Sequence, residues 1–194
     1  MIVNSLSVTD ALGRLARVDE PTAAGLGTVE TPNQPTNYAY DVLGNLRQVN
    51  QGGQTRFFAY DSLNRLLRAK NPEQADNAVL SLTDAVTGHN GWTQGYSYDV
   101  AGNLTQRTDA RGVTANYTYD NLNRNVTTTY ANEPANQPVT PQVKRYYDGW
   151  RDGAFNGGAQ LKGVLWQTET ANTSQVTVSN LDNQIGRASC RERV

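Results

Sequence analysis

One phrase recurs along this chain: an aromatic residue, any residue, an aromatic (usually tyrosine), aspartate, two further residues, glycine or asparagine, then asparagine or arginine. The full copies are Tyr38-Ala39-Tyr40-Asp41-Val42-Leu43-Gly44-Asn45-Leu46, Phe58-Ala59-Tyr60-Asp61-Ser62-Leu63-Asn64-Arg65-Leu66, Tyr96-Ser97-Tyr98-Asp99-Val100-Ala101-Gly102-Asn103-Leu104 and Tyr117-Thr118-Tyr119-Asp120-Asn121-Leu122-Asn123-Arg124-Asn125. A degraded copy, Asp10-Ala11-Leu12-Gly13-Arg14-Leu15, lacks the aromatic pair. The aspartates stand at 10, 41, 61, 99 and 120, so neighbouring copies come as close as 20 residues. A short fixed period of that kind is the mark of stacked supersecondary units, each too small to bury its own apolar face.

Each place in the phrase has a physical reading. Aromatics two residues apart project from the same face of an extended strand, where they can stack against the next hairpin. Aspartate suits the first position of a type I turn, because its carboxylate accepts N–H bonds from residues two or three further on. Three residues after each aspartate stand Gly13, Gly44, Asn64, Gly102 and Asn123, the residue types that best tolerate a left-handed backbone. A type I turn followed by one left-handed residue is a common bulged hairpin connection, and the next strand resumes at Leu15, Leu46, Leu66 and Leu104.

The fold class expected is therefore all-β: tandem antiparallel hairpins forming part of a curved sheet or hollow shell, with no stretch of helical periodicity. Gly-Asn copies (41, 99) alternate with Asn-Arg copies (61, 120), so a two-hairpin unit repeats after 58 or 59 residues. The wider gap between 61 and 99 points to an insertion at about 71–95, in which Ala78–Leu82 reads as a strand and the rest as loop. Further loops are expected over Glu20–Asn37 and Ala131–Gln142, and further strands over Val143–Tyr147, Leu161–Thr170 and Thr173–Asn180.

These copies, together with Lys70-Asn71-Pro72-Glu73-Gln74 and Thr108-Asp109-Ala110-Arg111-Gly112-Val113-Thr114, resemble the YD repeats of rearrangement-hotspot (Rhs) proteins. That family takes in the C components of insecticidal toxin complexes and, more distantly, teneurins. The resemblance is clear over 38–130, weaker over 10–21, and carried between 144 and 184 by Tyr146-Tyr147-Asp148-Gly149 alone. It implies a β-ribbon wound into a shell that encloses a toxic C-terminal domain, so the implied partners are the rest of a longer parent chain and that domain. It also implies a secreted or cell-surface location. The family's self-cleaving segment carries an aspartate-proline signature. None of the seven prolines here adjoins an aspartate, so no self-cleaving residue carries over.

The chain accordingly divides into a degraded repeat and loop (1–37), the repeats with their insertion (38–130), a divergent repeat region (131–184) and a last segment (185–194). That segment, Ile185-Gly-Arg-Ala-Ser-Cys190-Arg-Glu-Arg-Val194, reads as a translated sequencing adapter, with the protein expected to continue beyond it. It holds three arginines and one glutamate, which leaves 14 basic and 17 acidic residues before it. That balance gives no basic patch for nucleic acid. No apolar run reaches the ~18 residues of a membrane helix, and the first residues lack the basic start of a secretory signal. Cys190 is the only cysteine, so the body holds no disulfide or thiolate metal site. Hydrophobic residues make up 37%, below the ~45–50% usual for globular domains, which favours a piece that associates through open sheet edges.

No catalytic, cofactor or metal residue is assigned. His89, the sole histidine, reads as a solvated turn residue without a nucleophile partner. The repeated aspartates cap turns, and their density is too low for a calcium loop. Gly52-Gly53, Gly157-Gly158 and Gly163 are turns, since no helix or Lys-Ser/Thr follows them. The residues that matter form the structural motif: Tyr38, Tyr40, Asp41, Gly44, Tyr60, Asp61, Asn64, Tyr96, Tyr98, Asp99, Gly102, Tyr117, Tyr119, Asp120 and Asn123. Tyr146, Tyr147, Trp150, Phe155 and Trp166 pack a sheet face. The alternative is an adhesion protein that contacts cell-surface glycans through outward loops such as 71–95, with Trp92 or Trp150 as anchors.

Overall fold

The structure is a computed structural model that describes residues 4–151, 154–155, 163–171, 173–176 and 189–192. Among them every regular element is a β-strand, the paired strands run antiparallel, and no helix is long and apolar enough to cross a membrane. The residues form two compact units. One runs to Tyr96 and takes in Asp109–Arg111; the other comprises Ser97–Thr108 and Gly112 onward.

The first unit strings together β1 (Leu6–Thr9), β2 (Leu15–Glu20), β3 (Gln34–Tyr40), β4 (Leu46–Gln51), β5 (Gln54–Tyr60), β6 (Leu66–Lys70) and the start of β7 (Gln94–Tyr98). Each pairs with the next in sequence. The hairpins are closed at one end by the aspartate turns. At the other end Gly52 and Gly53, at φ 57° and 82°, join β4 to β5 with Gln51 opposite Gln54. A two-residue loop with both φ values positive matches the right-handed twist of its strands, which is why a Gly-Gly pair stands there.

Loop 21–33 ends earlier than the expected Asn37, because pairing already starts at Glu20 opposite Gln34. Asp19, fully buried, fixes that point: its carboxylate accepts the Asn33 and Gln34 N–H groups at 3.1 and 2.7 Å.

The insertion folds back over one sheet face and builds the core of this unit. Trp92 and Ala59 are each 1% exposed and pack with Leu80, and Phe57 and Leu82 lie against them. Ala78–Val79 form a turn and Leu80–Leu82 are irregular, so the strand expected over Ala78–Leu82 does not form. The Asn77 carboxamide and carbonyl oxygens take the Val79 and Leu80 N–H groups, and the Asn77 N–H donates to the Trp92 carbonyl at 2.8 Å. Leu80 is thereby aimed at the core instead of at a ladder partner.

Trp92 donates its indole N–H to the Leu82 carbonyl. Its burial removes it as a glycan anchor. His89 is not solvated as expected: its ring stacks on Phe57 at 4.0 Å, meets Trp92 edge-on at 4.9 Å, and bonds the Gly91 carbonyl through Nε2. Three aromatic rings and two leucines make a small cap in which His89 is half-buried, held by stacking and edge contacts between rings.

The second unit holds the end of β7, then β8 (Leu104–Thr108), β9 (Thr114–Tyr119), β10 (Asn125–Ala131) and β11 (Val143–Tyr147). A short hairpin of β12 (Trp150–Arg151) and β13 (Ala154–Phe155) precedes β14 (Leu165–Glu169), β15 (Thr173–Val176) and β16 (Ser189–Glu192). Threonine-rich runs such as Thr127-Thr128-Thr129 suit a half-buried pleat, and the Thr108 and Thr114 hydroxyls meet across the β8–β9 pair at 3.0 Å. β11 pairs with β14, β14 with β15, and β15 with β16, so part of the last segment forms a strand despite its change of composition. The expected continuations at 161–162 and 177–180, the Gly157-Gly158 turn, and the side chains of Trp150 and Phe155 lie outside the described residues.

Candidate functional site

The aspartate turns are the one arrangement repeated throughout, and their geometry is nearly the same each time. Asp10, Asp41, Asp61, Asp99 and Asp120 each donate their N–H to the carbonyl four residues on (2.8–3.0 Å) and accept at their own carbonyl the N–H three residues on (2.9–3.1 Å). One carboxylate oxygen takes the N–H four residues on, at 2.8–3.0 Å. At Asp10, Asp41, Asp61 and Asp120 it also takes the N–H two residues on. The reach is thus two and four residues, not the two or three expected from a plain type I turn, because the bulge adds one residue.

Gly13, Gly44, Asn64, Gly102 and Asn123 have φ of 78°, 86°, 61°, 89° and 60°. The register shifts beside the turn at Val8/Thr9, Ala39/Tyr40, Ala59/Tyr60 and Asn125/Thr127. This is the bulged hairpin in which the left-handed residue supplies the extra step.

The second carboxylate oxygen binds the side chain four residues on: Arg14 Nε, Asn45 Nδ2, Arg65 Nε, Asn103 Nδ2 and Arg124 Nε, at 2.7–3.0 Å. That position was visible in the sequence only as "asparagine or arginine", with no role attached. Each of these side chains sits at a turn, and several reach further, to the next turn along the chain. Arg14 donates to the Asp41 carbonyl at 3.1 Å, and its guanidinium lies 4.8 Å over the Tyr40 ring. Asn45 donates to Asn64 Oδ1 and Asn103 to Asn123 Oδ1, both at 2.9 Å. Arg124 pairs with the Asp148 carboxylate at 2.8 Å and lies 4.4 Å over Tyr147.

Tyrosines stitch the same neighbours from the other direction. The hydroxyls of Tyr40, Tyr119 and Tyr147 donate to the carbonyls of Leu15, Leu104 and Asn125, each five residues after the preceding aspartate. Tyr38, Tyr96 and Tyr117, the first aromatics of their copies, are half-buried. Tyr60, with Arg47 5.3 Å over its ring, is held by burial above its ordinary pKa. Tyr98 ends β7 one residue before Asp99.

The divergent copy is a sixth turn of this kind, opened by an insert. Asp148 donates its N–H to the Val164 carbonyl, as Asp41 does to Asn45, and its carboxylate takes the Gly163 N–H at 2.6 Å. Gly163, at φ 78°, and Leu165, the first residue of β14, stand where Gly44 and Leu46 stand in the second copy. The register shift falls between Tyr146 and Tyr147, as at Ala39/Tyr40. Fourteen residues (149–162) separate Asp148 from Gly163, where two separate Asp41 from Gly44. No residue spacing in the sequence announces this, since the aspartate and its left-handed glycine are no longer three apart.

One turn is tied to the insertion. Arg47, buried, donates from Nε to Asp41 at 2.8 Å and from Nη1 to Asp84 at 3.0 Å, and Asp84 in turn accepts the N–H and hydroxyl of Thr87. Neither Arg47 nor Asp84 belongs to the repeated phrase.

These contacts set the protonation of the carboxylates. Hydrogen bonds from Arg14, Asn103 and Arg124 hold Asp10, Asp99 and Asp148 below the ordinary aspartate pKa. At Asp41, Asp61 and Asp120 burial pushes the other way and is outweighed by bonds from the residue four on, so these too lie low. Every turn aspartate is an ionised acceptor at neutral pH, a state suited to fastening donors and unsuited to general acid catalysis. Among the described residues no group of three or more His, Cys, Asp or Glu side chains is placed to hold a metal ion.

Comparison with known proteins agrees with this geometry. Among curated proteins none matches the chain. Among solved structures, the crystal structure of TcdB2-TccC3 superposes with a TM-score of 0.54 at 13% identity, over 88% of this chain and 8% of that one. The same complex without its hypervariable C-terminal region gives 0.53 at 13% identity, over 85% and 7%. The chain therefore spans less than a tenth of the length of those structures, and the likeness is one of fold. Residues 7–133 match the family described as Teneurin YD-shell, a span that starts in β1 and ends just past β10. With its tandem clasped hairpins and the aspartate turn at each, the chain belongs to the Teneurin YD-shell family.

Proposed function

We propose that this chain is wall material of an Rhs-type shell that encloses a C-terminal toxin domain of its parent protein, released outside the producing cell or displayed on its surface. The segment itself catalyses nothing; its motif residues, from Tyr38 and Asp41 to Tyr119 and Asn123, serve to hold hairpin to hairpin. The observation that carries this reading is the turn clasp, repeated with one geometry and fastened from turn to turn. It engages the turn aspartates and the donors four residues on in structural bonds and leaves the aspartates ionised. The family is one of structural shell repeats, and the small fraction of the similar structures that this chain spans supports association with the rest of a parent chain. Glycan contact loses its support with Trp92 buried in the cap.

The test is a long sequencing read of the source DNA across the codons for Asn172 to Val194, followed by expression of the complete reading frame. Further Tyr-Asp copies, then a domain that poisons cells when expressed alone and is harmless within the full protein, are the expected result. A frame that ends at Val194, or repeats that lead into a surface anchor, overturns it.

A further inference from the structure

The residue four places after each aspartate is matched to the left-handed residue of the next turn. Arg14 precedes Gly44, Asn45 precedes Asn64, Arg65 precedes Gly102, Asn103 precedes Asn123, and Arg124 precedes Gly163. Arginine always comes before a glycine turn and asparagine always before an asparagine turn. We propose that, within each unit, this pair of positions is a recognition code between hairpins: each turn presents a donor to a neighbour of one kind, and the code selects which hairpin can lie beside which.

The contacts show why the letters go together. Where the next left-handed residue is asparagine, its Oδ1 stands out from the turn as an acceptor, and the short Nδ2 of Asn45 or Asn103 reaches it at 2.9 Å. A glycine turn offers no side-chain acceptor, so the donor must extend to the aspartate behind it. Arg14 and Arg124 do so, ending on the Asp41 carbonyl and the Asp148 carboxylate, with the guanidinium laid over the tyrosine that precedes that aspartate. A mismatched pair fails both ways. Asparagine before glycine keeps the bond to its own aspartate, as Asn45 and Asn103 do, but falls short of any acceptor on the next turn, and arginine before asparagine leaves the asparagine Oδ1 without the carboxamide that matches it, so the bond that links the two turns is lost. Asparagine and glycine both accept a left-handed backbone, so the turn itself does not decide between them.

Neighbour choice matters in a ribbon of near-identical hairpins, because any strand could pair with the wrong one and slip register. A polar pair that is satisfied only in one arrangement sets specificity by penalising the alternatives.

The test exchanges letters in the whole chain. Asn103→Arg and Asn123→Gly are made singly and together, as are Arg14→Asn and Gly44→Asn. Each single change is expected to raise the unfolding equilibrium constant of its own unit roughly threefold to tenfold, the scale of one net hydrogen bond. Each double change restores the other letter pair and is expected to return to within about threefold of the parent, a non-additivity characteristic of directly coupled residues. Doubles as damaging as the product of their singles would overturn the code. Should the arginine variants fail to fold, Asn123→Gly alone suffices, since its backbone is already left-handed. The Asn103 side-chain amide protons should then exchange with solvent several-fold faster, while those of Asn45 stay as they were; an unchanged Asn103 amide would equally overturn it.

Discussion

Replacing Arg47 with methionine isolates a buried charge cluster of the first unit. Its guanidinium stands between Asp41 and Asp84, with side chains 10%, 6% and 6% exposed. Methionine keeps the apolar stem while it removes the guanidinium that touches both carboxylates and lies over the Tyr60 ring. Two nearly buried anions would then keep only neutral hydrogen-bond donors, and breaking a buried pair in this way costs about 3–5 kcal/mol. The cost falls on the closure of the insertion over the sheet, since Asp84 belongs to the insertion and Asp41 to the β3–β4 turn.

Amide hydrogen exchange reads that closure directly. The Asn77 N–H bonds the Trp92 carbonyl and the Thr93 N–H bonds the Ala69 carbonyl, so both are released when the cap opens. Their opening free energy should fall by about 3–5 kcal/mol at pH 7. The loss should shrink as pH drops toward 4, because Asp41, without the Arg47 bond that helps to hold its carboxyl low, takes up a proton more readily. Adding Asp84→Asn should recover part of it at pH 7 by removing the repulsion. A loss under about 1 kcal/mol that is also the same at both pH values would refute the reasoning, since exposed pairs contribute only about 0–1 kcal/mol.

Trp92→Ala should destabilise the first unit by about 3–5 kcal/mol, the range for a large buried aromatic, as measured by urea unfolding; a cost near zero would mean the cap is not a core. Gly44→Ala places a side chain at φ 86° in open space, so only backbone strain applies, about 1–2 kcal/mol, and Gly44→Asn should cost less than the alanine in the same assay. Gly27→Ala should be worse than Gly44→Ala, because its Cβ would stand 2.6 Å from the Asn33 nitrogen and the Thr31 carbonyl oxygen, main-chain atoms with no easy way to move. Stability should also depend on acid. Six turn aspartates have folded pKa values below the ordinary 3.8. Their contribution is whole above about pH 4 and disappears as pH falls through the lowered folded values; a free energy of unfolding that stays flat from pH 5 to 2 would contradict the clasp.

The turns were legible because their chemistry is local. An aspartate, a left-handed glycine or asparagine three places on and a leucine resuming the strand are all within six residues, and each has a steric or hydrogen-bonding reason of its own. What lay beyond reading was whatever depends on the neighbour. The donor at Asn45 or Arg124 looked like a free choice between two polar residues until the next turn was beside it. Arg47 and Asp84 are 37 residues apart, and nothing in either segment advertises the other. Ala78–Leu82 has the composition of a strand, but Asn77 turns the chain and Trp92 claims Leu80, so tertiary packing overrode propensity. His89 misled for the same reason: Gly88 and Asn90 around it spell an exposed turn, while Phe57 comes from a strand far back in the chain. The sixth turn was hidden by its insert, which moved Gly163 out of the window in which a motif can be recognised.

That insert shows what a hairpin tip of this kind permits. The two residues between aspartate and the left-handed position point outward, with Val42 97% and Leu43 64% exposed in the second copy, and no clasp bond uses their side chains. Growing that span from two residues to fourteen is just under three doublings of loop length, ~2 kcal/mol of closure entropy, set against a doorway whose jambs are already bolted by Asp148, Gly163 and Arg124. Each tip is therefore a socket into which foreign sequence can be spliced without disturbing the ladder. Such a ribbon can diversify its rim, gaining new appendages one tip at a time, while the framework beneath keeps its register.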